Sequence, residues 1–192
     1  MKKTQAVVYT GLMAAVLSAL SVLQIPMPSG VPITLQTFAV ALCGYVLGCR
    51  AGTAATAVYL LLGLVGVPVY AGFTSGPGIL FGMTGGFIFG FVVMAFFCGT
   101  GITLHGRTAG LPRQILQGLL GLCACHLLGI LQFAFTTGVS FGQSFLLCSL
   151  PYIIKDVISV VGACFAAAAV RRALLKAGLL QTQQEGAETA KA

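Results

Sequence analysis

The sequence predicts an all-α integral membrane protein folded as a single bundle of helices. Of the 192 residues, 58% are hydrophobic and only 7% are charged, whereas an ordinary soluble domain carries about 25% charged residues. Apolar runs recur from end to end, and no polar block is large enough to form a second domain. A chain with so little polar side-chain surface cannot cover a water-soluble globule, so we expect lipid around it.

The apolar runs predict six spanning helices. Most of them approach the ~20 residues needed to cross a hydrocarbon core of ~30 Å. The second is the shortest; Pro32 suits its first helical position, and Gln36 lies in its first turn. The expected spans are 6–23, 32–48, 51–67, 86–104, 115–135 and 151–170. They form one domain over 1–176, followed by a polar tail over 177–192.

The basic residues predict how these helices cross the membrane. If the helices alternate in direction from a cytoplasmic N-terminus, the three outer connections are 24–31, 68–85 and 136–150, and they contain no Lys or Arg. This asymmetry matches the positive-inside preference, so both termini are expected in the cytoplasm. The basic residues expected on the inner side are Lys2, Lys3, Arg50, Arg107, Arg113, Arg171, Arg172 and Lys176.

Charge and cysteine content exclude other classes. The net charge of +7 comes from single or paired residues at the ends of apolar runs and not from a basic patch, so nucleic acid is not an expected partner. The seven cysteines lie mostly inside apolar runs without disulfide spacing, and we interpret them as buried apolar residues. The motif Cys123–His126 fits no usual zinc spacing, so core packing is expected there, with no metal. Neither histidine is expected near the outer face.

The outer connection Pro68–Gly86 is long, rich in glycine and still carries several large apolar side chains. A solvated linker does not need those side chains, whereas a re-entrant or lid-like segment folded over the bundle does. A plain packed loop is the alternative.

The end of this connection has the features of an anion site. Thr84 directly precedes the fourth helix and can act as its N-cap, while Gly85 and Gly86 would let a ligand approach free backbone amides. Gly86 also forms a small-residue face with Gly82 and Gly90, which favours close helix packing. Spacing alone leaves both interpretations open.

One carboxylate, Asp156, lies inside the last apolar run and is the only acidic residue before position 185. With Pro151 as the first helical residue, it would lie roughly 7–8 Å below the outer end of the helix. Charges inside a membrane are costly, which favours a functional role for this carboxylate. Lys155 precedes it, and neighbouring side chains on a helix diverge by about 100°, so each is expected to find its partner elsewhere. Snorkelling towards the outer surface is the alternative for Lys155.

The chain lacks the motifs of an enzyme. It has no phosphate-binding glycine-rich loop, no metal-binding His–Glu pair and no second acid to form a catalytic pair with Asp156. We therefore expect no ATP hydrolysis and no cofactor. A cavity with one acid, a nearby cation and aromatic walls favours binding of a small molecule with polar and apolar parts.

Four segments carry a resemblance to a known family. They read "VPITLQTFAVALCGYVLG" (31–48), "VYLLLGLVGVPVYAG" (58–72), "GILFGMTGGFIFGF" (78–91) and "LPYIIKD" (150–156). These segments resemble the BioY family, the biotin-binding S components of energy-coupling factor (ECF) transporters. The resemblance implies a six-helix S component with an extracellular-side biotin site. It also implies a transmembrane coupling subunit and two cytoplasmic ATPases as partners.

The resemblance further implies that Asp156 binds the ureido ring of biotin. Family members commonly place a Lys three residues later, where this chain has Ser159, which lies one turn along and can still face the cavity. Two ureido N–H groups suit an ionised carboxylate, the fused rings suit aromatic walls, and the ligand's own carboxylate suits either Lys155 or the amides of 84–86. The candidate binding residues are Asp156, Lys155, Ser159, Thr84, Gly85, Gly86, Tyr70, Phe73, Phe87 and Gln36.

The first helix carries a stripe of small residues. Gly11, Ala15 and Ala19 recur every four residues, which lets another helix come close. The resemblance implies that Ala15 and Ala19 contact the coupling subunit; internal packing is the alternative. Two other functions remain open: an S component for another vitamin, or a stand-alone proton-coupled transporter that uses Asp156 as its protonation site.

Overall fold

The computed structural model describes residues 3–103 and 109–178, which are almost entirely helical. The helices are α1 (Lys3–Ser21), α2 (Gln36–Leu64), α3 (Pro77–Leu80), α4 (Gly85–Thr103), α5 (Leu111–Thr137), α6 (Phe141–Cys148) and α7 (Leu150–Lys176). A short antiparallel pair joins β1 (Gln24–Ile25) to β2 (Ile33–Thr34). A 3₁₀ turn spans Ala71–Phe73.

Five helices of the described segments, α1, α2, α4, α5 and α7, are long and apolar enough to cross a membrane. Many large apolar side chains point away from the bundle; Phe135 is 88% exposed and Ile154 is 75% exposed. Water would disfavour such a surface, whereas lipid tails would cover it without cost.

The helix α2 is folded into a hairpin at Gly48. This residue has φ 80° and ψ 176°, a conformation that glycine adopts without steric cost. The Gln36 side-chain amide donates a hydrogen bond to the Tyr59 hydroxyl at 2.7 Å, although a straight helix would place these residues roughly 35 Å apart. The segments 36–47 and 49–64 are therefore antiparallel.

Close packing inside this hairpin depends on missing side chains. A Cβ on Gly52 would lie 2.7 Å from the carbonyl oxygen of Cys43 and 2.8 Å from the Cα of Gly44. On the other side, a Cβ on Gly44 would lie 2.5 Å from the carbonyl oxygen of Ala95 in α4. The two halves of α2 and the neighbouring α4 thus pack backbone against backbone.

Several helix ends differ from the sequence expectation. The expected second helix began at Pro32, but residues 33–34 form β2 and α2 begins only at Gln36. The helix α5 begins at Leu111 instead of 115, with Pro112 in its first turn, and α7 continues to Lys176 instead of ending at 170. The described residues do not include Lys2, the expected end of the fourth helix at Leu104, Arg107 or the tail from 179.

The helix α6 was not predicted. It lies inside the connection 136–150 and begins with a capping box, in which the Ser140 hydroxyl accepts a hydrogen bond from the Gln143 backbone N–H and the Gln143 side chain accepts one from the Ser140 N–H. It turns directly into α7, and the side chain of Ser144 is buried beneath it.

Glycines also determine how α4 packs on α5. A Cβ on Gly90 would lie 2.8 Å from the Cα of Cys125, and one on Gly86 would lie 2.3 Å from the carbonyl oxygen of Leu128. The small-residue face expected for Gly86 and Gly90 therefore serves packing. Gly82 is different, because its nearest neighbour is the carbonyl oxygen of Gly78 in its own turn.

Apart from Lys155, the basic residues of the described segments gather at one end of the bundle. Arg50 follows the turn at Gly48, Arg113 lies in the first turn of α5, and Arg171 lies near the end of α7. The Arg171 guanidinium donates a hydrogen bond to the carbonyl oxygen of Val46 at 2.7 Å. This contact ties the end of α7 to the carboxyl end of the 36–47 segment, where a cation is favourable. The opposite end holds the connections 22–35, 65–84 and 138–149, and we name it the cavity end.

Candidate ligand-binding site

A cavity of about 220 Å³ opens at the cavity end among α2, α4, α5 and α7. Its wall is mostly apolar along α4 and α5, where Phe87, Phe91 and Leu122 lie, and His126 is the polar exception on α5. The polar groups are concentrated on α7 and at the start of α2. This division suits a small molecule with one polar and one apolar face.

Among the described residues that line this cavity, Asp156 is the only carboxylate, and it is 5% exposed. Its Oδ2 atom lies 3.2 Å from Nε2 of His126, and its Oδ1 atom lies 2.5 Å from the ammonium nitrogen of Lys155. The Thr37 side chain also lies within hydrogen-bonding reach of this carboxylate, and apart from its ion pair with Lys155, Oδ1 accepts no other hydrogen bond of good geometry among the described residues. The carboxylate therefore keeps unused acceptor capacity at the cavity.

The prediction that Lys155 and Asp156 find separate partners is wrong. Their Cα–Cβ bonds do diverge along α7, but the four-carbon stem of lysine is long enough to bend its ammonium back to the neighbouring carboxylate. The same ammonium donates a hydrogen bond to the carbonyl oxygen of Thr34 at 3.1 Å. Lys155 thus joins α7 to β2.

The expectation that His126 merely packs in the core is also wrong. The residue is buried, at 8% exposed, but it lines the cavity. Its Nδ1 lies 2.7 Å from the Ser149 hydroxyl, while its Nε2 faces Asp156. The edge of its ring meets Phe87 at a centroid distance of 5.8 Å. His105 lies outside the described residues.

Four of the other candidate residues line the cavity, namely Tyr70, Phe87, Gln36 and Thr84. Tyr70 is fully buried, and its hydroxyl donates a hydrogen bond to the carbonyl oxygen of Leu60 at 2.6 Å. The side-chain oxygen of Gln36 accepts a hydrogen bond from the Thr34 hydroxyl at 2.9 Å, and its side-chain nitrogen donates one to the Tyr59 hydroxyl. The conformation of Gln36 is therefore fixed before any ligand arrives.

The remaining candidates lie outside the cavity lining. Phe73 is 70% exposed and its φ is 59°, in the left-handed region, so its ring points away from the cavity. Ser159 is half-buried on α7. A Cβ on Gly85 would overlap the carbonyl oxygen of Leu80, so this glycine, like Gly86, is needed for close packing. The Gly85 N–H also already donates to the carbonyl oxygen of Gly82 at 3.3 Å.

The connection between α2 and α4 contributes residues to the cavity wall, and its lid-like role stays a prediction. Ala71, Thr74 and Ile79 contribute to the lining. The side-chain amide of Gln132, on α5, donates to the carbonyl oxygens of both Leu80 and Gly82 at 2.7 Å. One side chain thus anchors this connection to α5.

Tyr152, which the sequence analysis missed, fixes a second wall of the cavity. Its hydroxyl donates a hydrogen bond to the carbonyl oxygen of Val31 and lies 2.8 Å from the Ser29 hydroxyl. Together with the contact between Lys155 and Thr34, it holds residues 29–34 against α7. No local pattern predicts these contacts, because the partners are more than 120 residues apart.

Comparison with known proteins agrees with this arrangement. A model described as the BioY family matches residues 1–176. The chain is 37% identical over 162 residues to biotin transporter BioY2 of Lactococcus lactis, covering 84% of this chain and 87% of that protein. It is 36% identical over 149 residues to biotin transporter BioY of Thermotoga maritima, covering 77% and 86%.

A solved structure has the same fold. A crystal structure of the S-component for biotin from an ECF-type ABC transporter matches with a TM-score of 0.81 at 25% identity, covering 90% of this chain and 95% of that one. The chain described here is a multi-pass protein of the cell membrane, and it belongs to the BioY family.

Proposed function

We propose that this chain is the biotin-binding, substrate-specific subunit of an ECF-type transporter, and that its part in uptake is capture of the vitamin and not catalysis. Its similarity to biotin transporters and to a solved S-component for biotin supports biotin as the ligand. The single observation that carries the proposal is the buried carboxylate of Asp156, whose Oδ1 has acceptor capacity at the cavity.

The chemistry of biotin suits this cavity. The ureido ring presents N–H donors, which an ionised carboxylate accepts with strong, charge-assisted hydrogen bonds. The sulfur-containing ring and the aliphatic chain are apolar and would contact Phe87, Phe91 and Tyr70. No cofactor is needed for such binding.

The carboxylate of the ligand would lie away from Asp156, because the aliphatic chain separates it from the ureido ring. Lys155 is already 2.5 Å from Asp156, so it would reach the ligand carboxylate only by leaving that contact. The alternative site is the region of Thr84 at the start of α4, where the positive end of the helix dipole favours an anion. We retain both candidates.

We also propose that the cavity end faces the outside and that both termini are cytoplasmic. The basic residues at the opposite end support this orientation through the positive-inside preference. The reversal at Gly48 would give two short membrane crossings within α2, hence six crossings in all.

The proposed partners are a transmembrane coupling subunit and two cytoplasmic ATPases, which would supply the energy that this chain has no motif to obtain. The stripe of Gly11, Ala15 and Ala19 supports a docking role for α1, because all three residues are exposed and a Cβ on Gly11 would meet nothing within 4 Å. A shallow groove beside Gly11 is lined by Ala51 and Ala54 of the 49–64 segment. A smooth surface of this kind admits another helix at short distance.

Replacing Ala15 by Leu tests this docking surface. We expect the variant to bind biotin like the parent protein but to lose most biotin uptake in cells that supply the coupling subunit and ATPases, because the bulky side chain keeps the partner helix away. Uptake of labelled biotin and titration of the purified protein measure the two effects. Leu131→Phe is the control, since Leu131 is 50% exposed on a different helix, α5. Normal uptake by Ala15→Leu would contradict the assignment.

Calorimetric titration of the detergent-purified protein tests the substrate. We expect a single tight site for biotin and no measurable heat from riboflavin or thiamine, because only biotin pairs a ureido donor edge with an apolar ring of this size. Equal heat from another vitamin would assign the chain to a different substrate. Uptake into liposomes that contain only this chain and that requires a proton gradient would instead indicate a stand-alone carrier.

A further inference from the structure

The imidazole of His126 forms the middle of a chain of polar side chains at the cavity. Ser149 lies 2.7 Å from Nδ1, and Asp156 lies 3.2 Å from Nε2. All three side chains are buried, Ser149 at 1%, Asp156 at 5% and His126 at 8% exposed. Ser149 lies at the junction between α6 and α7, Asp156 lies in α7 and His126 lies in the middle of α5, so the chain joins three consecutive helices.

The hydrogen-bond partners determine where the imidazole proton lies. An ionised carboxylate only accepts hydrogen bonds, so the proton between Nε2 and Oδ2 must be on Nε2. Lys155 already places one positive charge 2.5 Å from Oδ1, so the carboxylate has its counter-ion without a charged imidazole. A neutral imidazole with its proton on Nε2 has a lone pair on Nδ1, which the Ser149 hydroxyl satisfies as a donor.

We propose that His126, held in its Nε2–H tautomer by Ser149, is a positioning residue that occupies Oδ2 of Asp156 and so directs Oδ1 to the N–H groups of the ligand. This inference rests on the proposed function for the identity of the ligand. Without His126, the carboxylate could rotate about its side-chain torsion or turn both oxygens towards Lys155. A fixed carboxylate lowers the ordering cost of binding.

Variants of His126 test the proposal by binding. We expect His126→Met, which keeps bulk but removes the donor, to weaken biotin binding roughly 2- to 10-fold, because binding must then order a carboxylate that the parent protein already holds in place. His126→Gln can place an amide N–H near the position of Nε2 and should restore most of the lost affinity. The control is Leu127→Met, the next residue on α5, which is 51% exposed. Parent-like binding by His126→Met, or binding by His126→Gln as weak as that of His126→Met, would overturn the proposal.

The tautomer is measurable without any ligand. The chain has two histidines, so His105→Gln leaves a protein whose single imidazole gives unambiguous ¹⁵N resonances. We expect a protonated Nε2 and an unprotonated Nδ1, with or without biotin, and a loss of this single tautomer in Ser149→Ala. A protonated Nδ1 in the His105→Gln protein, or a doubly protonated ring, would overturn the proposal even if all variants of His126 fold poorly.

These outcomes separate the positioning role from the proposed function. If the parent protein gives no heat with biotin, the proposed substrate fails, while the ¹⁵N resonances still decide the state of His126. If the parent protein binds biotin and His126→Met binds equally well, only the positioning role fails.

Discussion

Replacing Asp156 by Ala is expected to weaken biotin binding by roughly 100-fold or more, because the variant removes the charged acceptor of the ureido donors, and hydrogen bonds to charged groups contribute up to about 3 kcal/mol. The variant also removes the carboxylate partner of the Lys155 ammonium, and the described residues that line the cavity include no other carboxylate. Asp156→Asn keeps the shape and an acceptor oxygen but not the charge, so we expect it to retain only part of the affinity. Isothermal titration of the purified variants gives both values.

The matched control is Ile158→Ala, which lies two residues further along α7 and is 66% exposed. It should bind biotin like the parent protein. Thermal unfolding of all three variants checks that the loss of affinity is not a loss of fold. An Asp156→Ala protein that melts normally and binds biotin normally would remove the basis of the proposed site.

Replacing Gly52 by Val is expected to destabilise the whole bundle. The new side chain would meet the backbone of Cys43 and Gly44 at 2.7–2.8 Å, and backbone in the middle of a packed hairpin cannot give way like the end of a flexible side chain. Overpacking of this kind costs about 1–3 kcal/mol or more, which corresponds to a decrease in melting temperature of roughly 5–10 °C. Biotin binding should decline with the fold, because Gln36 and Tyr59 join the two halves of the hairpin beside the cavity.

A thiol-reactive dye reports this unfolding directly, because Cys43, Cys98 and Cys164 are buried in the native bundle. The control is Gly11→Val, the same change at a glycine where a Cβ meets open space. Gly11→Val should melt like the parent protein although it alters the proposed docking surface. Equal melting temperatures for Gly52→Val and the parent would show that the hairpin is less tightly packed than described.

Much of the fold could be predicted from hydropathy, because a helix that crosses a lipid bilayer needs a long run of apolar residues, and such runs are easily recognised in the sequence. The turn at Gly48 lies where the sequence placed the boundary between two short helices. The helix α6 was missed because it is short, but its capping box, Ser140 to Gln143, was visible in the sequence. Its start could have been inferred from that pattern alone.

The candidate site was only partly predictable, since cavity residues are brought together by packing between helices. Asp156 stood out because a charge in an apolar run is rare, and Lys155 stood beside it. His126 was assigned to the core on the basis of its apolar neighbours, although one buried imidazole and one buried carboxylate in the same bundle are natural partners. Phe73 was expected in the wall on account of its aromatic ring, but the left-handed backbone at 72–73 turns the ring outward. A single sequence does not reveal that conformation.

The two amide hydrogen bonds from Gln132 have a mechanical consequence. His126 contacts Asp156 in the cavity, and Gln132 holds the connection between α2 and α4. The two residues are six positions apart on one helix, α5. A tilt of α5 would therefore move both contacts together, so the ligand contact proposed for Asp156 and the position of the connection between α2 and α4 are coupled through one helix.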